Sequence, residues 1–221
     1  MAQITIITGL YGSGKSEFTL QYALYLSKQS NRKIFVADLD VVNVYFRSRE
    51  KEAMLNENGI ELLGNVLGSN ANTDVPHFAP NFYNAIKDEN SHLIIDLAGS
   101  EVGLRMIPSF LEDLVERNHG EYNFLYVINA NREGNMNTVS FDSKVNYINN
   151  YSSLKITGIV NNSHLMQYSN CEDMVRAQEI VSKSKFNLDI EYYLLSAKLK
   201  CENIMGKGII VSEFLLEKDK N

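Results

Sequence analysis

The stretch Gly9-Leu10-Tyr11-Gly12-Ser13-Gly14-Lys15-Ser16 decides how this chain is read. Its glycines and closing Lys-Ser fit the spacing G-x-x-x-x-G-K-[ST] of a phosphate-binding loop. The context agrees. Ile4-Thr5-Ile6-Ile7 before it reads as a short buried strand, and Glu17–Gln29 after it reads as a helix with Phe18, Leu20, Ala23, Leu24 and Ser27 toward one side. Glycine lets the backbone curl until successive N–H groups point inward at phosphate oxygens. The helix start adds the positive end of its dipole at the same point. Lys15 is then expected to reach the β- and γ-phosphates of a nucleotide, and the Ser16 hydroxyl to ligate Mg²⁺. The expected phosphate-holding set is Gly9, Tyr11, Gly12, Ser13, Gly14, Lys15, Ser16 and the adjoining Glu17.

Outward from the loop, Lys33–Asp38 reads as a second strand whose end carries two carboxylates, Asp38 and Asp40. Open α/β sheets bind ligands at the carboxyl ends of their strands, and extended geometry would aim both aspartates to one side. One would orient a metal-bound water and the other the attacking water. Ser48–Asn58 reads as a polar helix closed by Gly59, and Ile60–Leu63 as a brief strand. Gly64–Val75 reads as an Asn- and Gly-rich loop, and Pro80 to Asp88 as a helix with proline in its first turn. His92–Asp96 is a further strand leading into Leu97-Ala98-Gly99, a D-x-x-G segment. Asp96 is expected to hold Mg²⁺ through water, and the Gly99 N–H to meet the γ-phosphate.

In the second half, Glu101–Arg117 has helical spacing interrupted by Pro108, and Tyr122–Ile128 is a strand followed by Asn129-Ala130-Asn131-Arg132. Asn137–Asn150 reads as a helix, and Lys155–Val160 as a strand followed by Asn161-Asn162-Ser163-His164. Cys171–Ser184 is an amphipathic helix, Asp189–Leu195 a strand, and Gly208–Leu216 a last helix packed on the sheet. Glu217–Asn221 reads as a frayed tail. Alternating strands and helices imply a mostly parallel central sheet with helices on both faces, and right-handed crossovers put the loops after the strands along one edge. The expectation is a single domain over residues 1–221 with the three-layer α/β fold of a P-loop NTPase.

Bulk properties narrow the alternatives. A net charge of -6 argues against broad binding to nucleic acid. No apolar run approaches the length of a membrane span, so a cytoplasmic protein is expected. Cys171 and Cys201 form no C-x-x-C pair, so they are expected to be two separate thiols with neither a zinc knuckle nor a disulfide framework.

The phosphate loop Gly9–Ser16, Asp38-Leu39-Asp40, Asp96-Leu97-Ala98-Gly99 and the late Asn161-Asn162 together resemble the MinD/ParA and CobQ/CobB-type nucleotide-binding proteins. These belong to a broader class that includes signal-recognition GTPases and nitrogenase iron protein. The likeness is especially close to a group of bacterial proteins with a DLDVVNPYFRSRE-like segment; here it reads DLDVVNVYFRSRE, with Val44 in place of proline. The resemblance implies that Asp38 belongs to the metal shell, that Asp40 orients the attacking water, and that Asn161 recognises adenine, with Asn162 beside it as a further nucleotide contact. MinD and ParA carry a lysine after the first loop glycine, which reaches across a nucleotide-sandwiched dimer. Leu10 stands there in this chain, which puts that cross-dimer contact in doubt while leaving a homodimer open. Arg47, Arg49 or Arg132 could supply a substitute cation, since guanidinium suits phosphate geometry. The family's paired metal-binding cysteines are absent. GTPases of the class read guanine with an acid in N-K-x-D or T-K-x-D; Asn161-Asn162-Ser163-His164 has none, which favours ATP/ADP.

Two classes of function follow. One is a Mg²⁺-dependent ATPase, with Lys15 and Asp40 as its catalytic pair, whose loops Asp40–Arg49 and Gly99–Arg105 change shape on hydrolysis for a partner protein to read. The other is an ATP-dependent small-molecule kinase or ligase, with the Gly64–Pro80 loop closing over its substrate. A nucleotide-binding regulator that hydrolyses little is a third reading.

Overall fold

In a computed structural model the described residues are 2–39, 51–63, 80–101, 104, 121–163 and 169–216. The strands are β1 (Gln3–Gly9), β2 (Lys33–Leu39), β3 (Ile60–Leu63), β4 (Ser91–Ala98), β5 (Asn123–Ile128), β6 (Gly158–Asn161), β7 (Ile190–Ser196) and β8 (Lys207–Val211). The helices are α1 (Lys15–Gln29), α2 (Glu52–Glu57), α3 (Pro80–Lys87), α4 (Thr138–Tyr151) and α5 (Cys171–Ser182). The strands form one sheet in the order β3-β2-β4-β1-β5-β6-β7-β8. Every pairing is parallel.

Alternation along each strand divides the core into two layers. Ile4 and Ile6 of β1, Phe35, Ala37 and Leu39 of β2, and Leu93, Ile95 and Leu97 of β4 pack on one face with Phe82, Phe141, Val145 and Ala177 from α3, α4 and α5. Ile7, Ile34, Val36, Ile94 and Val127 point the other way, against Phe18, Leu20 and Ala23 of α1 and Leu55 of α2. Burial on both faces explains the near-continuous apolar runs of the central strands. The helix boundaries have local causes. Asn137 caps α4 by accepting from the Ser140 N–H, and Gly59 closes α2 with a φ of +72°.

Two expectations fail. Residues 207–211 are not a helix but β8, parallel to β7, with Ile209 and Val211 buried and Ile210 55% exposed. A run of Ile-Ile-Val alternating in and out suits an edge strand better than a helix. Cys171 and Cys201 are not separate thiols but a disulfide, with Cα atoms 5.4 Å apart. The fold sets the start of α5 beside the connection between β7 and β8, which brings together two cysteines distant in sequence.

The expected helix Glu101–Arg117, the Gly64–Val75 loop, Asp40, Arg47, Arg49, His164 and the tail after Leu216 lie outside the residues described as continuous structure. Among the described residues, no helix is long and apolar enough to cross a membrane.

Candidate functional site

The loop between β1 and α1 turns on two glycines in the left-handed region, Gly12 at φ 74° and Gly14 at φ 80°. Two successive carbonyls of the loop are tied outward. Gly12 O accepts from Arg132 Nε at 2.9 Å, and Ser13 O accepts from Asn162 Nδ2 at 2.8 Å. In a trans peptide the C=O and the next N–H point in opposite directions, so the second tie aims the Gly14 N–H toward the inside of the loop. Tyr11 at the apex is 86% exposed.

On the floor of the loop, Ser16 Oγ donates to Asp96 Oδ2 at 2.6 Å and the Lys15 ammonium lies 3.8 Å from Asp96 Oδ1. All three residues are buried. Asp38 and Asp96 are Cα partners in the register of β2 and β4. Strand parity sets both on the α1 face, the side of Val36 and Ile94. The fold therefore assembles Lys15, Ser16, Asp38 and Asp96 in one place. Gly99 belongs there for a steric reason, since a Cβ on it would stand 2.3 Å from Gly9 O. Serine hydroxyl and carboxylate oxygens suit Mg²⁺, which prefers oxygen donors and keeps several waters and phosphate oxygens in its shell. Among the described residues, no group of three or more His, Cys, Asp or Glu side chains forms a metal cage. The donor set fits an ion whose coordination a nucleotide completes.

The other end of the site differs from expectation. Asn161 is fully buried and uses its amide internally: Nδ2 donates to Met174 O at 2.9 Å, and Oδ1 accepts the Ser163 N–H at 3.2 Å. It ties β6 to the first turns of α5 and has no amide edge turned to a base. Asn162 beside it, also a candidate nucleotide contact, donates its Nδ2 to Ser13 O of the phosphate loop and leaves its Oδ1 without a partner among the described residues. Sequence reasoning did not assign Asn162 this tie or foresee the Arg132–Gly12 contact, because both join residues more than a hundred positions apart.

Buried side-chain polar atoms with no hydrogen-bond partner among the described residues mark the same edge of the sheet. They include Thr8 Oγ1, Ser13 Oγ, Asn131 Nδ2, Asn135 Nδ2, Asn162 Oδ1 and Asp173 Oδ2. Each lies near the carboxyl end of a strand or at the start of α5. Buried polar groups are normally satisfied. Their gathering at one edge is what a polar ligand or ordered water would answer.

The side chain of Glu17, one residue beyond the Lys-Ser pair, turns from the expected phosphate set to the C-terminal segment. Its carboxylate accepts the N–H groups of Leu215 at 2.8 Å and Leu216 at 2.7 Å, and Gln21 Nε2 at 2.9 Å. Burial raises its proton affinity above that of an ordinary glutamate, against the opposing pull of these donors and of Lys51.

Solved structures share this architecture. Chloroplast FtsY from Physcomitrella patens superposes with a TM-score of 0.59 at 13% identity, over 87% of this chain and 58% of that one. The signal recognition particle receptor FtsY from Elizabethkingia anophelis gives 0.56 at 13% identity, over 87% and 58%. FtsY from Mycoplasma mycoides gives 0.54 at 19% identity, over 86% and 59%. The chain has the P-loop NTPase fold. It spans less than two thirds of the length of these neighbours. A plasmid partition protein from Borrelia burgdorferi bound to AMPPNP superposes less well, at 0.47. No protein-family model and no curated protein matches the sequence.

Proposed function

We propose that this chain binds a nucleoside triphosphate with Mg²⁺ in the Gly9–Ser16 loop and acts as a nucleotide-driven switch on a partner protein. The observation that carries the reading is the cluster of Lys15, Ser16 and Asp96 beneath a loop whose carbonyls are tied outward. In this reading Lys15 would neutralise the terminal phosphates, Ser16 would hold the ion, Asp96 would hold it through water, and Asp38 would belong to the same metal shell. Bound Mg²⁺ would supply charge neutralisation at the β- and γ-phosphates. Asp40 is the proposed group that orients the attacking water, which would make the chain an ATPase.

ATP is the proposed nucleotide. Asn161, Asn162 and Ser163 offer no carboxylate to pair with a guanine edge. The support is narrower than the sequence implied, because the Asn161 amide is spent on Met174 and Ser163.

Calorimetric titration of Mg-ATP tests the reading. Lys15→Ala removes the loop's own cation and should weaken binding by about 2 kcal/mol or more, roughly thirtyfold. Unchanged affinity in that variant would refute nucleotide binding at this loop. Labelled γ-phosphate transferred to an added metabolite rather than to water would favour a kinase or ligase instead.

A further inference from the structure

The geometry points to Arg132 as the platform on which the nucleobase stacks, an inference that rests on the nucleotide reading above. The guanidinium lies face-on to Gly12. A Cβ built on Gly12 would stand 3.1 Å from Arg132 Cζ, 3.1 Å from Nε and 3.2 Å from Nη2. A point so nearly equidistant from three bonded atoms must lie above their plane, since an equidistant point within the plane would be little more than a bond length away. One face of the cation therefore covers the glycine. Nε is engaged by the Gly12 carbonyl and the side chain is exposed, so the face turned away from Gly12 is the one assigned to the base. The backbone behind it is held at both ends, with Arg132 N donating to Asn129 O and Asn135 N donating to Arg132 O, each at 3.0 Å.

Position along the sheet tells which part of a nucleotide Arg132 would meet. The carboxylates Asp38 and Asp96 lie on β2 and β4, to one side of β1. Arg132 follows β5 and Asn162 follows β6, both on the opposite side. A triphosphate with its terminal phosphates toward Asp96 would run its ribose and base toward β5 and β6. Two of the unsatisfied buried amide atoms, Asn131 Nδ2 and Asn162 Oδ1, belong to that end. A guanidinium plane stacks on aromatic rings in a way that an ammonium does not. Every base has a π-face, so such a platform adds affinity with little preference among bases. Arg132, one of three arginines considered as a phosphate cation, is thereby assigned to the base.

The test compares Mg-ATP, Mg-GTP and inorganic tripolyphosphate on wild type, Arg132→Ala, Arg132→Lys and Lys15→Ala. Arg132→Ala should weaken both nucleotides about tenfold, within the range of stacking energies, and tripolyphosphate by clearly less, a loss limited to the missing tie to the Gly12 carbonyl. Arg132→Lys should recover less than half of the lost nucleotide affinity on a logarithmic scale, because it restores charge without a plane. Lys15→Ala should weaken all three ligands. An equal loss of tripolyphosphate in Arg132→Ala, full rescue by lysine, or no loss of nucleotide affinity would each overturn the stacking role. Those outcomes leave phosphate-loop binding standing if wild type still holds tripolyphosphate through Lys15; loss of that binding would instead refute the nucleotide reading.

Discussion

Replacing Gly99 by alanine tests whether the close approach of two strand ends builds the site. The new Cβ would stand 2.3 Å from Gly9 O and 2.8 Å from Gly9 C, both backbone atoms that no rotamer change can move. To reach even a tight 3.0 Å contact, the gap must open by roughly 0.7 Å in a close-packed interior. Gly9 has little slack, because a Cβ on it would already meet Ser13 Oγ at 2.6 Å and Val127 O at 2.9 Å. The shift therefore falls where β1 enters the phosphate loop. Overpacking of this kind costs about 1–3 kcal/mol. For a chain of this size that corresponds to a Tm lowered by roughly 2–12 °C. A displacement approaching an ångström also misaligns N–H groups aimed at phosphate, so Mg-ATP affinity should fall about tenfold, the worth of one good hydrogen bond to a charged group. Circular dichroism melting and calorimetric titration on one preparation measure both effects. An alanine variant with wild-type Tm and wild-type affinity would refute the account.

Two further outcomes are expected. Cys201→Ser should lower stability in non-reducing urea denaturation by about 3.7 kcal/mol, the entropy of a closed loop of this length. In excess dithiothreitol the variant and wild type should coincide, and a wild type indifferent to reductant would count against the bond. His92 is buried and its pKa is pushed down to about 4, chiefly by desolvation and then by the Arg32 charge. Its folded pKa lies below the unfolded value of 6.5, so its contribution is intact above pH 6.5 and is lost as pH falls toward 4. His92→Gln should remove about 3 kcal/mol of that acid sensitivity; parallel pH curves for the two proteins would show that His92 is not held neutral.

What could be read in the sequence was local. The phosphate loop, its flanking strand and helix, and the D-x-x-G segment are each written within a few residues, and the fold forms them there. Near-continuous apolar runs likewise give β2, β4 and β5, because a strand buried on both faces leaves a composition signal without any knowledge of its neighbours. Contacts made by chain return are different. Arg47, Arg49 and Arg132 were equal candidates as arginines, and only the crossover after β5 brings Arg132 to Gly12. Asn161 and Asn162 differ by one position, yet the end of β6 sends one amide to α5 and the other to the loop. Composition cannot separate two adjacent asparagines.

The misread C-terminal segment shows how such returns bear on the site. Read alone, Gly208–Leu216 has apolar residues enough for a helix, but the edge of β7 was open and β-branched residues took it. The chain then turns back across α1, where the N–H groups of Leu215 and Leu216 meet Glu17, and Gln21 donates to Glu213 O at 3.1 Å. Glu17 shares its helical turn with Lys15 and Ser16, so the last described residues are tied to the turn that would carry the phosphates. Holding a carboxylate there has a cost. Because its folded pKa is raised, stability falls as pH rises from the ordinary glutamate value of 4.5 through the folded one. Two backbone donors offset part of that cost and fix the segment's register. Any shift in the first turn of α1 on nucleotide binding must therefore be shared by residues 213–216 or break these bonds, so the C-terminal segment is coupled to the state of that turn.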